Sequence, residues 1–235
     1  MKKLLSLILV LAMLTVAMVS CKKEDPTDDP AQTPTNPPVQ TRYTITAEEW
    51  ASTCALTNFT LDYVTVQSRT MGGETFTSAT TVQVKSTANV SYSLYVFSPE
   101  TPDTEPETNE SYCVLEDDVM YYLQMNGTEV QRVSAREGEE MDTLAYSMDF
   151  EDVTFADLTY NEATKSYVWT YSESEDGVSL SMTYSFFFEN GTLVKVGAQM
   201  SAEGDGYSQN YTVDVTVSNI GTTTVTAPAF NKPQQ

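Results

Sequence analysis

The sequence predicts a mainly β domain: a curved antiparallel meander sheet, half-barrel or barrel-like, with a short N-terminal α-helix. Three observations predict it. From Phe59 onward, apolar residues recur at every second position, the period of a half-buried strand. Asn126-Gly127 and Asn190-Gly191 stand between apolar runs, as two-residue hairpin turns do. Helical spacing occurs in a single stretch near the start of the domain. One helix cannot cover so wide a sheet on both faces, so the sheet is expected to curl on itself.

Taken in order, the chain opens with Lys2 and Lys3, then an apolar run from Leu4 to Val19 interrupted only by Ser6 and Thr15. A spanning helix needs about 20 apolar residues and a signal-peptide core about 7–15. Residues 1–20 therefore read as a signal peptide. Met18-Val19-Ser20-Cys21 resembles the lipobox of bacterial lipoproteins, with Val19, Ser20 and Cys21 on the pattern and Met18 in place of its usual leucine. That resemblance implies lipidation of Cys21 (diacylglycerol on the thiol, a further acyl chain, such as palmitate, on the amine). Several chains on one residue hold to a bilayer where a single chain anchors only marginally. Lys23-Glu24-Asp25 resembles a surface-export signal of lipoproteins of Gram-negative anaerobes. The expected address is the cell envelope, as an outer-membrane lipoprotein: surface-exposed if Lys23-Glu24-Asp25 acts as that signal, periplasm-facing if it is only a solvated charge run opening the linker.

Residues 21–42 comprise Cys21 and a linker. Pro26, Pro30, Pro34, Pro37 and Pro38 lie among Thr, Asp, Asn and Gln, a composition that buries no core and favours extended polyproline II. At about 3.1 Å per residue such a linker reaches roughly 65 Å from the bilayer.

Residues 43–230 read as a single β-rich domain, followed by a tail at 231–235. Thr46-Ala47-Glu48-Glu49 fits a capping box, and Trp50, Ala51, Cys54 and Ala55 share a helical face, predicting a helix over 47–56 with Trp50 as core anchor. The strands follow. Phe59, Leu61 and Tyr63 share a face, as do Val82 and Val84. Val90, Tyr92, Leu94 and Val96 alternate with serines. Met182, Tyr184, Phe186 and Phe188 alternate with polar residues, and so do Tyr211, Val213, Val215 and Val217. Asn161 to Lys165 reads as a longer hairpin loop. Ser98–Ser111 and Ala135–Thr143, rich in acidic residues, read as disordered protrusions.

Helix, long meander and the ending Gly221-Thr222-Thr223-Thr224-Val225-Thr226-Ala227-Pro228 together resemble the half-barrel domains of LolA/LppX-like lipoproteins over about residues 43–230. The resemblance implies an acyl chain or other hydrophobic ligand in the concavity of the sheet. Candidate ligand-binding residues on that reading are Tyr184, Phe186, Phe188, Tyr211, Val213 and Val215. On the opposite reading the same residues fill a core, plugged by Met141, Leu144, Tyr146, Met148 and Phe150.

Charge and motif content narrow the functions. Without residues 1–20 the chain keeps 10 basic and 33 acidic residues, a formal charge of −23. That repels nucleic acid and anionic headgroups, so membrane contact is expected through lipid. With no histidine in the chain, Ser-His-Asp, Cys-His and HExxH chemistry are excluded. No GxSxG, mature SxxK, GxGxxG or P-loop occurs. Aligning Gly177 or Gly206 to a calcium loop puts Ser172 or Ser201 first and Thr183 or Thr212 last, where a glutamate is needed. The carboxylate runs Glu116-Asp117-Asp118, Glu139-Glu140, Asp149-Glu151-Asp152 and Glu173-Glu175-Asp176 read as solvated faces rather than as an acid–base pair. The expectation is a non-enzyme without cofactor or metal. Cys54 and Cys113, in an oxidising compartment, are expected to form a disulfide, with two buried free thiols as the alternative. Asp142-Thr143-Leu144 resembles a short bacterial O-glycosylation sequon. Two functions remain: a carrier or binder of a hydrophobic ligand in the sheet, or a cell-surface module binding glycan or protein through its tyrosines.

Overall fold

The computed structural model describes residues 41–99, 104–175, 177–204 and 206–233. The signal peptide, Cys21 and the linker up to residue 40 lie outside the described residues. Helix α1 (Ala47–Cys54) forms where the capping box sits: Thr46 Oγ1 accepts from Glu49 N at 3.2 Å, and Glu49 Oε2 accepts from Thr46 N at 2.8 Å. Asn190 and the end of the linker hold each other. Asn190 N donates to Arg42 O at 2.7 Å, and Arg42 N donates to Asn190 Oδ1 at 3.0 Å.

Among the described residues, eleven antiparallel strands make one sheet. They are β1 (Phe59–Met71), β2 (Glu74–Ser86), β3 (Val90–Ser98), β4 (Glu107–Glu116), β5 (Val119–Asn126), β6 (Glu129–Glu137), β7 (Thr159–Asn161), β8 (Ser166–Glu175), β9 (Val178–Glu189), β10 (Thr192–Gly204) and β11 (Tyr207–Ser218). The order is β6-β5-β4-β3-β2-β1-β11-β10-β9-β8-β7. Hairpins carry the chain outward from β1 to β6. It then crosses to the opposite edge at β7 and returns inward until β11 pairs with β1. The sheet is open, with β6 and β7 as its edges. Asn190-Gly191 makes the β9–β10 turn with φ of 52° and 85°, the left-handed pair that a tight hairpin needs.

The two expected protrusions are strand at their ends: residue 98 and residues 107–111 of the first, and residues 135–137 of the second. β3 runs to Ser98, β4 begins at Glu107, and Phe97 pairs with Glu107. β6 continues to Glu137. Cross-strand pairing with apolar neighbours here overrides a composition poor in strand formers. Beyond β6 the connector is ordered too, with Met141 buried.

The inner face holds the main core. Following the register, Tyr63, Val215, Val196 and Phe186 line up across β1, β11, β10 and β9. Helix α1 and the connector 138–158 lie over them; the connector includes α2 (Leu144–Ser147) and a 3-10 turn (Phe155–Asp157). Trp50 lies 4.9 Å from Phe186 and 5.5 Å from Phe150, ring centre to ring centre, and its indole N–H donates to Val153 O at 3.1 Å. Leu144 N donates to Leu56 O at 2.7 Å, tying connector to helix. Full burial of each such large side chain stabilises by about 1.5–3 kcal/mol.

The outer face carries a smaller cluster of Val114, Tyr121 and Leu123. Residues 219–233 cross it as a strap. Thr223 is fixed at one end by Thr60 (2.9 Å, hydroxyl to hydroxyl) and by two hydrogen bonds with Asn58. At the other end Phe230 packs on Tyr121 at 5.3 Å, and Lys232 lies over the same ring while pairing with Glu116.

Candidate functional site

All six expected ligand residues fall on the inner face of β9 and β11. There they are 0–6 % exposed: Tyr184 and Phe186 stack, Val213 and Val215 pair with Ala198 and Val196, and Tyr211 pairs with Met200. Burial pushes the Tyr184 hydroxyl well above the ordinary tyrosine range, and that hydroxyl donates to Met148 O at 3.3 Å. Of the expected plugs, Met141, Leu144 and Phe150 are buried and Met148 is half-buried. Tyr146 is 61 % exposed and plugs nothing. The concavity beneath α1 is therefore occupied by the protein's own side chains.

The Cys54–Cys113 disulfide is not formed; both are free thiols. Cys54 packs against the main core at the end of α1, whereas Cys113 sits on β4 beside Ser91, which hydrogen-bonds it. Burial raises both, Cys54 to about 11, so neither is a ready nucleophile. Thr143 caps α2, its hydroxyl accepting from Tyr146 N at 3.3 Å. Members of three of the carboxylate runs serve local contacts. Glu116 pairs with Lys232, Asp117 and Asp118 make the β4–β5 turn, and Glu173 accepts from Tyr171. Glu139 accepts from Tyr122 and Arg136, which hold its carboxyl below the usual range.

The open site lies on the other face. Val82 pairs with Tyr95 on the inner side, which turns Val90, Tyr92, Leu94 and Val96 outward. The strap covers the end of the sheet that holds Val90. Beyond it Leu94 and Val96 remain half-exposed, beside Val64 of β1 and Ala79 of β2. These four floor a groove of about 660 Å³, rimmed by Asp62, Gln83 and Asp214. That volume is in the range of ligand sites, and an apolar floor with a few polar groups is their usual composition. Gln83 Nε2 donates to Asp62 at 2.7 Å. Asp214 pairs with Lys195 at 2.9 Å, and Lys195 lies over the Phe187 ring. Asp62 forms no ion pair among the described residues.

Of the groove residues, the sequence picked out Leu94 and Val96 as a strand face but not as a site. Asp62, Gln83 and Asp214 read as ordinary solvent-facing positions. Only the register between β2 and β3 shows which way β3 turns its apolar side.

No family model and no curated protein sequence matches the chain. Among solved structures it is similar to the crystal structure of a DUF1329 family protein from Desulfovibrio piger ATCC 29098. Identity is 14%, covering 77% of this chain and 92% of that one, with a TM-score of 0.26. That score is too low for the likeness to bear on fold family or function.

Proposed function

We propose that this chain is a non-catalytic lipoprotein, anchored to the outer membrane through lipid on Cys21 and presented at the surface, that binds a hydrophobic ligand in the outer-face groove. One observation carries the choice of site: Leu94 and Val96 leave an apolar floor half-exposed, while the six inner-face candidates are sealed by Trp50, Phe150 and the connector. A hydrophobic ligand meets open apolar surface on one face and packed side chains on the other. The rim refines its chemistry. The Asp62 carboxylate, hydrogen-bonded by Gln83 but in no ion pair among the described residues, repels an anionic head, so the ligand is an acyl chain with a neutral or cationic head rather than a free fatty acid.

The test uses the chain from residue 21 onward carrying Cys21→Ser. A fluorescent monoacylglycerol should bind saturably, and a fluorescent fatty acid of equal length should bind more weakly. Leu94→Glu should abolish the first signal, while Phe186→Ala, kept under folding conditions, should not. Loss with Phe186→Ala and none with Leu94→Glu would return the ligand to the concavity. The anchor is tested separately: Cys21→Ser in the full chain should move it out of the detergent phase.

A further inference from the structure

We propose that the free edge of β8, residues 169–175, docks an extended basic peptide, which adds there as a further strand. β7 covers β8 only from Ser166 to Val168. From Trp169 to Glu175, β8 pairs with β9 on one side and with no strand on the other among the described residues. Such an edge offers a row of backbone donors and acceptors, the template on which strand addition works.

The side chains leave that template clear. Thr170, Ser172 and Ser174 point to the outer face, small and exposed. Trp169 and Tyr171 point to the inner face, half-exposed and stacked at 6.1 Å with 18° between planes. They form an aromatic wall against which apolar side chains of an added strand can lie.

The opposite edge is guarded. Against a cationic strand, β6 carries Arg132 and Arg136, and it is distorted by an irregularity opposite Gln124 and Met125, two devices that block pairing there. β8 has neither a bulge nor a lysine, arginine or proline between Ser166 and Glu175. Its charges have one sign. Glu173 and Glu175 lie along the edge and Asp157 near its start, while the neighbouring Lys165 is spent on Glu162. A second copy of this chain, strongly acidic itself, is repelled here. Trp169, Tyr171, Glu173 and Glu175 alternate onto the same inner face, so the complementary peptide carries, on its inward side, apolar residues opposite the two aromatics and lysines opposite the two glutamates.

The test uses the full chain in neutral detergent micelles and labelled peptides of about ten residues, an ordinary strand length. One alternates serine with valine over the half opposite Trp169 and Tyr171 and serine with lysine over the other half, and one has glutamate in place of lysine. Two more repeat the first with backbone N-methylation at every serine or at every residue between the serines. The lysine peptide should bind saturably and shift the emission of Trp169, a shift absent in Trp169→Phe. The glutamate peptide should not bind. Only one edge of the peptide faces β8, so one N-methylated form should lose at least about tenfold in affinity and the other little, several hydrogen bonds being at stake. Equal binding of both methylated forms and the parent would show charge attraction alone and overturn the proposal. So would binding that leaves Trp169 emission unchanged, or no binding.

Discussion

The inner face of β9 and the outer face of β3 carry the same pattern, four large apolar residues at every second position, yet one is sealed and the other half-open. Met182, Tyr184, Phe186 and Phe188 lie under α1 and the connector, each below a tenth exposed. Val90, Tyr92, Leu94 and Val96 meet only the strap, and only at one end. The difference lies in the covering segment rather than in the strand. α1 and the connector bring Trp50, Leu144, Ala145, Phe150 and Val153 to the inner face. The strap brings little more than Ala227 and Phe230 to the outer one. An alternating strand says that one side is apolar; what lies across that side decides whether it is core or site.

The comparison breaks most sharply at Phe186. It is 0 % exposed and touches Trp50, Phe150 and Tyr184. Phe186→Ala should cost about 3–5 kcal/mol, the range for emptying a packed aromatic site. Denaturant unfolding measures it. A loss below about 1 kcal/mol would mean the inner face tolerates a void, and the sealed-core reading would go with it.

How far this was legible in the sequence follows from the same two strands. The capping box at Thr46 and Glu49, the helix it starts, the Asn190-Gly191 turn and every alternating segment are local signals, and each appears where those residues sit. The antiparallel, curved, single-sheet fold follows from their succession. Three features were not legible. β4 and the end of β6 hide in acidic sequence, because partner strands rather than propensity hold them. The outward turn of β3 depends on one register, Val82 opposite Tyr95. The free state of Cys54 and Cys113 depends on where α1 comes to rest. The first two are set by the register between neighbouring hairpin strands and the third by packing between residues far apart in sequence, none of which a local period encodes.

A second, smaller effect belongs to the outer face. Phe230 is half-buried, against Tyr121. Phe230→Ala should cost about 1 kcal/mol, less than full burial of such a ring is worth. Hydrogen exchange should show the loss as local opening near Val114 and Tyr121, with the amides of β9 unchanged. If β9 opens with it, the two faces are one cooperative unit rather than two separately covered ones.

The smallest effect sharpens the contrast by pH. Hydrogen bonds from Arg42, then from the Thr46 backbone, hold the Glu49 carboxyl down to about 2 from an ordinary 4.5. A carboxylate with a depressed folded-state pKa gives its full stabilisation above the unfolded value and loses it as protons bind to the folded form. The Glu49 contribution is therefore complete above pH 4.5 and falls away between there and about pH 2. Arg42 is exposed and Glu49 half-buried, so the pair is reached by solvent and the loss is small and salt-sensitive. Its consequence is local: Glu49 joins the linker end at Arg42 to the first turn of α1, and α1 is half of the inner cover. Acidification through that window should loosen α1 and redden Trp50 emission before it disturbs the strap. Glu49→Gln keeps a side chain able to accept from Thr46 N but removes the titrating charge, so its Trp50 signal should be flat over the same window. An equal acid response in wild type and Glu49→Gln would place the pH sensitivity of the inner face elsewhere than at this clasp.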